Sequence, residues 1–98
     1  MTDLEITRLC AEAMGLTQVN RYQFKNAHGQ QAEFTPLHDD AQAMALVKKF
    51  HLHIGKTLRT PDDPFGQWVV SKTSKADATG KDLNRAICEC VAKMQSNL

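Results

Sequence analysis

The stretch His51-Leu52-His53-Ile54 places two imidazoles one residue apart. On a β-strand, residues i and i+2 project from the same face, so the spacing predicts a side-by-side pair able to begin a transition-metal site. His38, Asp39 or Asp40 would complete it, since two imidazoles alone fall short of a full ligand set. A metal-dependent activity at His51 and His53 is one expectation. The ordinary alternative is the polar face of an edge strand meeting solvent, and no cysteine stands nearby in sequence to add a soft ligand.

Cys88 and Cys90 are also two residues apart, but within a helical pattern. There the same spacing is a rotation of about 200°, which points the thiols to nearly opposite sides and prevents a shared metal or disulfide. Cys90 falls on an apolar stripe and is expected in the core, whereas Cys88 lies at its flank, where partial exposure is expected. Neither has a histidine beside it to activate a thiolate. With Cys10 the cysteines number 3, and an odd set in a chain that opens without a basic, apolar leader predicts reduced thiols and a cytoplasmic address.

The acidic pairs Asp39-Asp40 and Asp62-Asp63 have the composition of a Mg²⁺ site or a carboxylate dyad. Each also has a simpler role. Asp39 and Asp40 precede a helical pattern and are placed to cap it, while Asp62 and Asp63 stand between Pro61 and Pro64, a turn composition without the spacing of a calcium loop. Gly15, Gly29, Gly55, Gly66 and Gly80 are scattered singly, so no phosphate-cradling loop is expected. Ser71, Ser74 and Ser96 lack a histidine or acid at an interpretable spacing. No catalytic residue and no cofactor is expected.

Lys48, Lys49, Lys56, Arg59, Lys72 and Lys75 surround Trp68 in the sequence, a mixture of cations and an aromatic ring of the kind that follows a nucleic-acid backbone and stacks a base. The overall balance opposes this. With 12 Lys+Arg against 11 Asp+Glu, the formal charge is only +1, too small for a long-range field that gathers polyanions. These residues are therefore a candidate face for a protein partner first and for single-stranded nucleic acid second.

Positioning such groups requires regular elements, and their signals are clear. Leu83, Ala86, Ile87, Cys90, Val91 and Met94 recur at helical spacing, with Thr79-Gly80 and Asp82 read as the start. Ala43, Leu46, Val47 and Phe50 mark a helix from about residue 40 to 50. Ile6, Leu9, Cys10 and Ala13 mark another, opened by Thr2 and Glu5 and closed by Gly15. Tyr22 and Phe24, then Ala32 and Phe34, alternate around Asn26-Ala27-His28-Gly29 and predict a β-hairpin. Strands are expected near 51–55 and 67–72, and the polar stretch from Ser71 to Gly80 reads as a loop.

The result is an α/β (α+β) fold: a three-layer helix-sheet-helix sandwich around a small, mostly antiparallel sheet. Its expected core is Leu9, Phe34, Leu46, Val47, Phe50, Leu52, Ile54, Trp68, Val70, Leu83, Ile87, Cys90, Val91 and Met94. A length of 98 residues, 42% hydrophobic and 23% charged, fits one soluble domain over residues 1–98. No apolar run approaches the roughly 20 residues of a membrane span.

The order of Thr35-Pro36-Leu37-His38-Asp39-Asp40-Ala41, Trp68-Val69-Val70 and Asp82-Leu83-Asn84-Arg85-Ala86-Ile87-Cys88 resembles the phage ABA sandwich domain family of small phage and prophage proteins. The resemblance runs over roughly residues 34–94. It implies an aspartate-started helix, a tryptophan-bearing strand and a C-terminal helix, an origin in a phage or prophage genome, and no particular reaction. Many relatives carry an aromatic residue after the helix-starting aspartate, where this chain has Ala41, and the segments 22–34 and 55–66 have no counterpart. The functional expectation is a non-enzymatic accessory protein that binds a host or phage protein, as a monomer or as a homodimer joined through an open sheet edge.

Overall fold

The computed structural model describes residues 2–56, 61, 66–72 and 75–96, with backbone only at 75–77. The first helix, α1 (Asp3–Ala13), begins where the Thr2 hydroxyl accepts the Glu5 N–H at 3.1 Å. It ends in a left-handed Gly15 with φ 77°, whose N–H donates to Glu12 O at 3.0 Å, followed by Leu16 N–H to Ala11 O at 2.9 Å. That paired closure is the usual reason for glycine just past a helix end.

A three-stranded antiparallel sheet follows, β1 (Thr17–Gln18), β2 (Gln23–Lys25) and β3 (Gln31–Glu33). The expected hairpin is β2–β3. Its turn is held by Asn26, whose Oδ1 accepts the N–H groups of His28 and Gln30 at 2.9 and 3.0 Å, with Gly29 at φ 78°. Phe24 and Phe34 project to the buried side and meet edge to face, centroids 5.8 Å apart.

Helix α2 (Asp40–Phe50) starts as the aspartates predicted, with Asp39 Oδ1 accepting the Gln42 N–H at 3.0 Å. Gln42 then ties the preceding chain down, accepting the Thr35 N–H at 2.7 Å and donating to Glu33 O at 2.9 Å. Replacing Asp39 with alanine orphans a first-turn N–H and is expected to cost about 1 kcal/mol, read as a lower urea midpoint with an unchanged slope.

The second sheet is β4 (His53–Lys56), β5 (Trp68–Lys72) and β6 (Lys75–Gly80), again antiparallel throughout. Two observations correct the sequence reading here. The expected single sheet is two separate ones, and much of the stretch read as a loop is strand β6. Lys-Ala-Asp-Ala-Thr-Gly has little intrinsic strand preference. Pairing with β5 supplies it, and Ala78, opposite Val70, is small enough to lie buried beneath a helix.

That helix is α3 (Leu83–Ser96), which packs against α1, α2, β5 and β6 and is the centre of the fold. Its start lies later than Thr79-Gly80, which belong to β6. Asp82 instead accepts the Arg85 N–H with its side chain at 3.4 Å and the Ala86 N–H with its carbonyl at 3.0 Å. Because α3 is covered on more than one side, its buried arc is wider than one stripe: Ala86, Ile87, Cys88, Cys90, Val91 and Ala92 are all buried. Ile54 departs from its expected place in the core. It faces the same side as Val70 but sits on edge strand β4, beyond the strands that α3 covers, and is 37% exposed.

The remaining core joins both sheets to the helices through Ile6, Cys10, Leu37, Leu46 and Leu52. Among the described residues, no helix is long and apolar enough to cross a membrane.

Candidate functional site

The histidine pair does not form the expected strand face. His51 is the left-handed cap of α2, with φ 54° and ψ 50°, and β4 begins only at His53. The Leu52 N–H is still turned back onto Val47 O at 3.1 Å, so the chain leaves the helix before it becomes extended. Both histidines are exposed. His38, Asp39 and Asp40 stand at the other end of α2, and its 11 residues put about 16 Å between the ends. Among the described residues, no group of His, Cys, Asp or Glu gathers in a metal-binding arrangement; Asp62 and Asp63 lie outside the described residues.

The thiols are in the core, and the expected partial exposure of Cys88 is corrected. Helix α1 covers that flank, where Cys10 Sγ donates to the Cys88 carbonyl at 3.3 Å. A separate side-chain interaction between the two thiols, followed by burial, pushes the Cys88 pKa far upward, which keeps it protonated and unreactive. None of the cysteines forms a disulfide. The expected consequence is protection: a thiol-reactive dye leaves the native protein essentially unlabelled and labels Cys10, Cys88 and Cys90 in urea. Rapid native labelling of Cys88 would place that thiol at the surface.

Most of the described basic residues lie about the C-terminal end of α2, whereas Lys56 lies at the far end of β4, opposite Trp68. Lys48 and Lys49 occupy the last turn of α2, His51 caps it, His53 and Lys56 lie on β4, and Lys72 ends β5. Lys75 opens β6, and Arg59 lies outside the described residues. Trp68, however, is not an open stacking surface. Lys56 Nζ sits 4.6 Å from its ring centroid, and the half-buried indole packs against the core. Lys72 is placed similarly over Phe50, at 5.9 Å. These cation–π contacts hold the ammonium groups against the surface and occupy the aromatic faces that a base would need.

A different surface carries the side chains best suited to recognition, and the sequence reading passed over it. Between β1 and β2 the chain turns through Val19-Asn20-Arg21-Tyr22. The turn is held by Val19 N–H to Gln23 O at 2.8 Å and by Gln23 N–H to Asn20 Oδ1 at 3.2 Å. The Tyr22 carbonyl is fixed in turn by the Phe34 N–H at 2.9 Å. Yet the side chains of Val19 and Tyr22 are 45% and 42% exposed, with Arg21 exposed between them. The period of two places Tyr22 on the same strand face as Phe24, but β2 begins only at Gln23, so Tyr22 belongs to the turn and is exposed while Phe24 is buried.

Behind Tyr22 lies a cleft of about 250 Å³ between α1 and the segment joining β3 to α2, lined by Asp3, Thr7, Tyr22, Glu33, Thr35, Leu37 and His38. Thr7 is 2% exposed and donates its hydroxyl to Asp3 O at 2.9 Å. Asp3 Oδ1 accepts Arg85 at 2.6 Å, and Arg85 also bridges to Glu89 at 2.9 Å. The hydrogen bond that Arg85 donates to Asp3 raises the Arg85 pKa further, so this guanidinium remains charged. The Glu33 carboxylate has no ion-pair partner among the described residues.

Compared with known proteins, the chain matches no family model, no curated protein and no solved structure.

Proposed function

We propose that the protein is a non-enzymatic module that binds a protein partner through the Val19–Tyr22 hairpin tip. The observation that carries this reading is an exposed tyrosine, arginine and valine on a turn whose backbone is already hydrogen-bonded in place. Tyrosine and arginine are over-represented among the residues that dominate protein-interface energies, and lysine is depleted there. A fixed turn also loses little conformational entropy on docking. The resemblance to phage ABA sandwich proteins supports a phage or prophage accessory role, with the partner a host or phage protein in the cytoplasm.

The test is affinity capture of tagged protein from induced, prophage-bearing cells after nuclease treatment, run in parallel with Tyr22→Ala. One protein recovered with the parent chain and lost with the variant supports the reading. Equal recovery with both, or recovery only without nuclease, contradicts it.

A second reading has its own observation, the basic side chains Lys48, Lys49, His51, His53 and Lys72 about the end of α2 and the adjoining ends of β4 and β5. Such a patch favours an anionic strand through phosphate contacts rather than base stacking. A gel shift that weakens steeply with salt and is lost in Lys48→Glu/Lys49→Glu would favour it, and a salt-insensitive or absent shift would dismiss it.

A further inference from the structure

We infer that the cleft behind Tyr22 receives an arginine side chain from the protein partner; this rests on the reading that the hairpin tip is the docking surface. The cleft has the size of a side chain, about 250 Å³, smaller than the several hundred Å³ of a site for drug-sized ligands. Its charged side chains are acidic, with His38 the one imidazole in the lining. Asp3 and Glu33 contribute carboxylates, and the buried Thr7 hydroxyl is already committed as a donor to Asp3 O, so it does not compete as a donor for them. The Tyr22 ring and Leu37 supply the apolar wall.

The charge balance points the same way. The carboxylates that line the cleft are Asp3 and Glu33, and only Asp3 is engaged by a cation, through Oδ1 to Arg85. An incoming cation therefore meets an excess of negative charge, and Glu33 has no competing partner among the described residues. Arginine fits better than lysine. Its planar fork reaches separated acceptors at once and stacks on an aromatic face, whereas an ammonium is a strongly hydrated point charge.

The inference can be tested without the partner, by following backbone amide resonances of the full chain during titration with N-acetylarginine amide and, separately, with the uncharged N-acetylcitrulline amide. The arginine probe is expected to shift Thr7, Tyr22, Thr35, Leu37 and His38 saturably in the millimolar range, with little response to citrulline. Glu33→Gln, at an exposed position, is expected to weaken the probe by up to about fivefold, the upper end for a solvent-accessible ion pair. Equal response to both probes, shifts spread over the whole surface, or an unchanged affinity in Glu33→Gln would overturn it. Failure of the probe beside a Tyr22-dependent partner removes only the arginine pocket. Probe binding without any captured partner leaves the pocket and removes the docking role.

Discussion

Replacing Ile87 with alanine is expected to lower the unfolding free energy by about 2 to 5 kcal/mol, the range for emptying a buried site of this size. Ile87 is 1% exposed on the helix that contacts α1, α2, β5 and β6, so neighbours anchored on several sides cannot all collapse into the space. A small domain has only about 5 to 15 kcal/mol of stability to lose, and the variant should show a clearly lower urea midpoint. Ile54→Ala is the internal control. It removes a similar volume from edge strand β4, where the side chain is 37% exposed, and should cost well under half as much. Equal effects at the two positions would mean that α3 is not the centre of the core.

Replacing Tyr22 with alanine is expected to do the opposite, sparing stability and removing binding. The side chain is 42% exposed, and the backbone bond from Phe34 to the Tyr22 carbonyl does not depend on it. At a hot spot the truncation costs about 2 kcal/mol or more, which is roughly a thirtyfold weaker partner complex. Titration calorimetry with the captured partner reads this directly. Retained affinity in Tyr22→Ala would move the interface elsewhere.

What sequence reasoning recovers here follows from which forces are local. The three helices announce themselves by periodicity and by caps that act within a few residues: Thr2 with Glu5, Asp39 with Gln42, and Gly15 after α1. The Asn26 turn is equally local. Strand β6 is not, since its six residues acquire extended structure only by pairing with β5. Thr79-Gly80 was misread for the same reason: a capping signature and a strand end share the same small polar residues.

Side-chain environments depend even more on distant packing. Cys88 looks like a flank residue on its own helix, and only the arrival of α1 with Cys10 buries it. His51-x-His53 has strand spacing, but the helix persists into a left-handed residue at 51, which separates the imidazoles from a common face. The lysines are only partly neighbours: Lys48, Lys49 and Lys72 lie about the end of α2, while Lys56 pairs opposite Trp68 at the other end of β5. Their engagement with aromatic rings was not legible from sequence. The hairpin tip was missed because Tyr22 shares the period of Phe24 and so reads as part of the buried strand face, and the cleft behind it draws on α1, β3 and the approach to α2 together.

The central claim, that the hairpin tip is the docking surface, is tested most directly by site-specific photo-crosslinking in prophage-bearing cells. A photoreactive phenylalanine analogue would be placed singly at position 22, at Met44 on the exposed side of α2, and at Lys49 within the basic end. A discrete, nuclease-resistant protein adduct from position 22, absent from the other two, is the predicted result. Adducts formed only from position 49, or none from position 22 while another position captures the partner, would contradict the account.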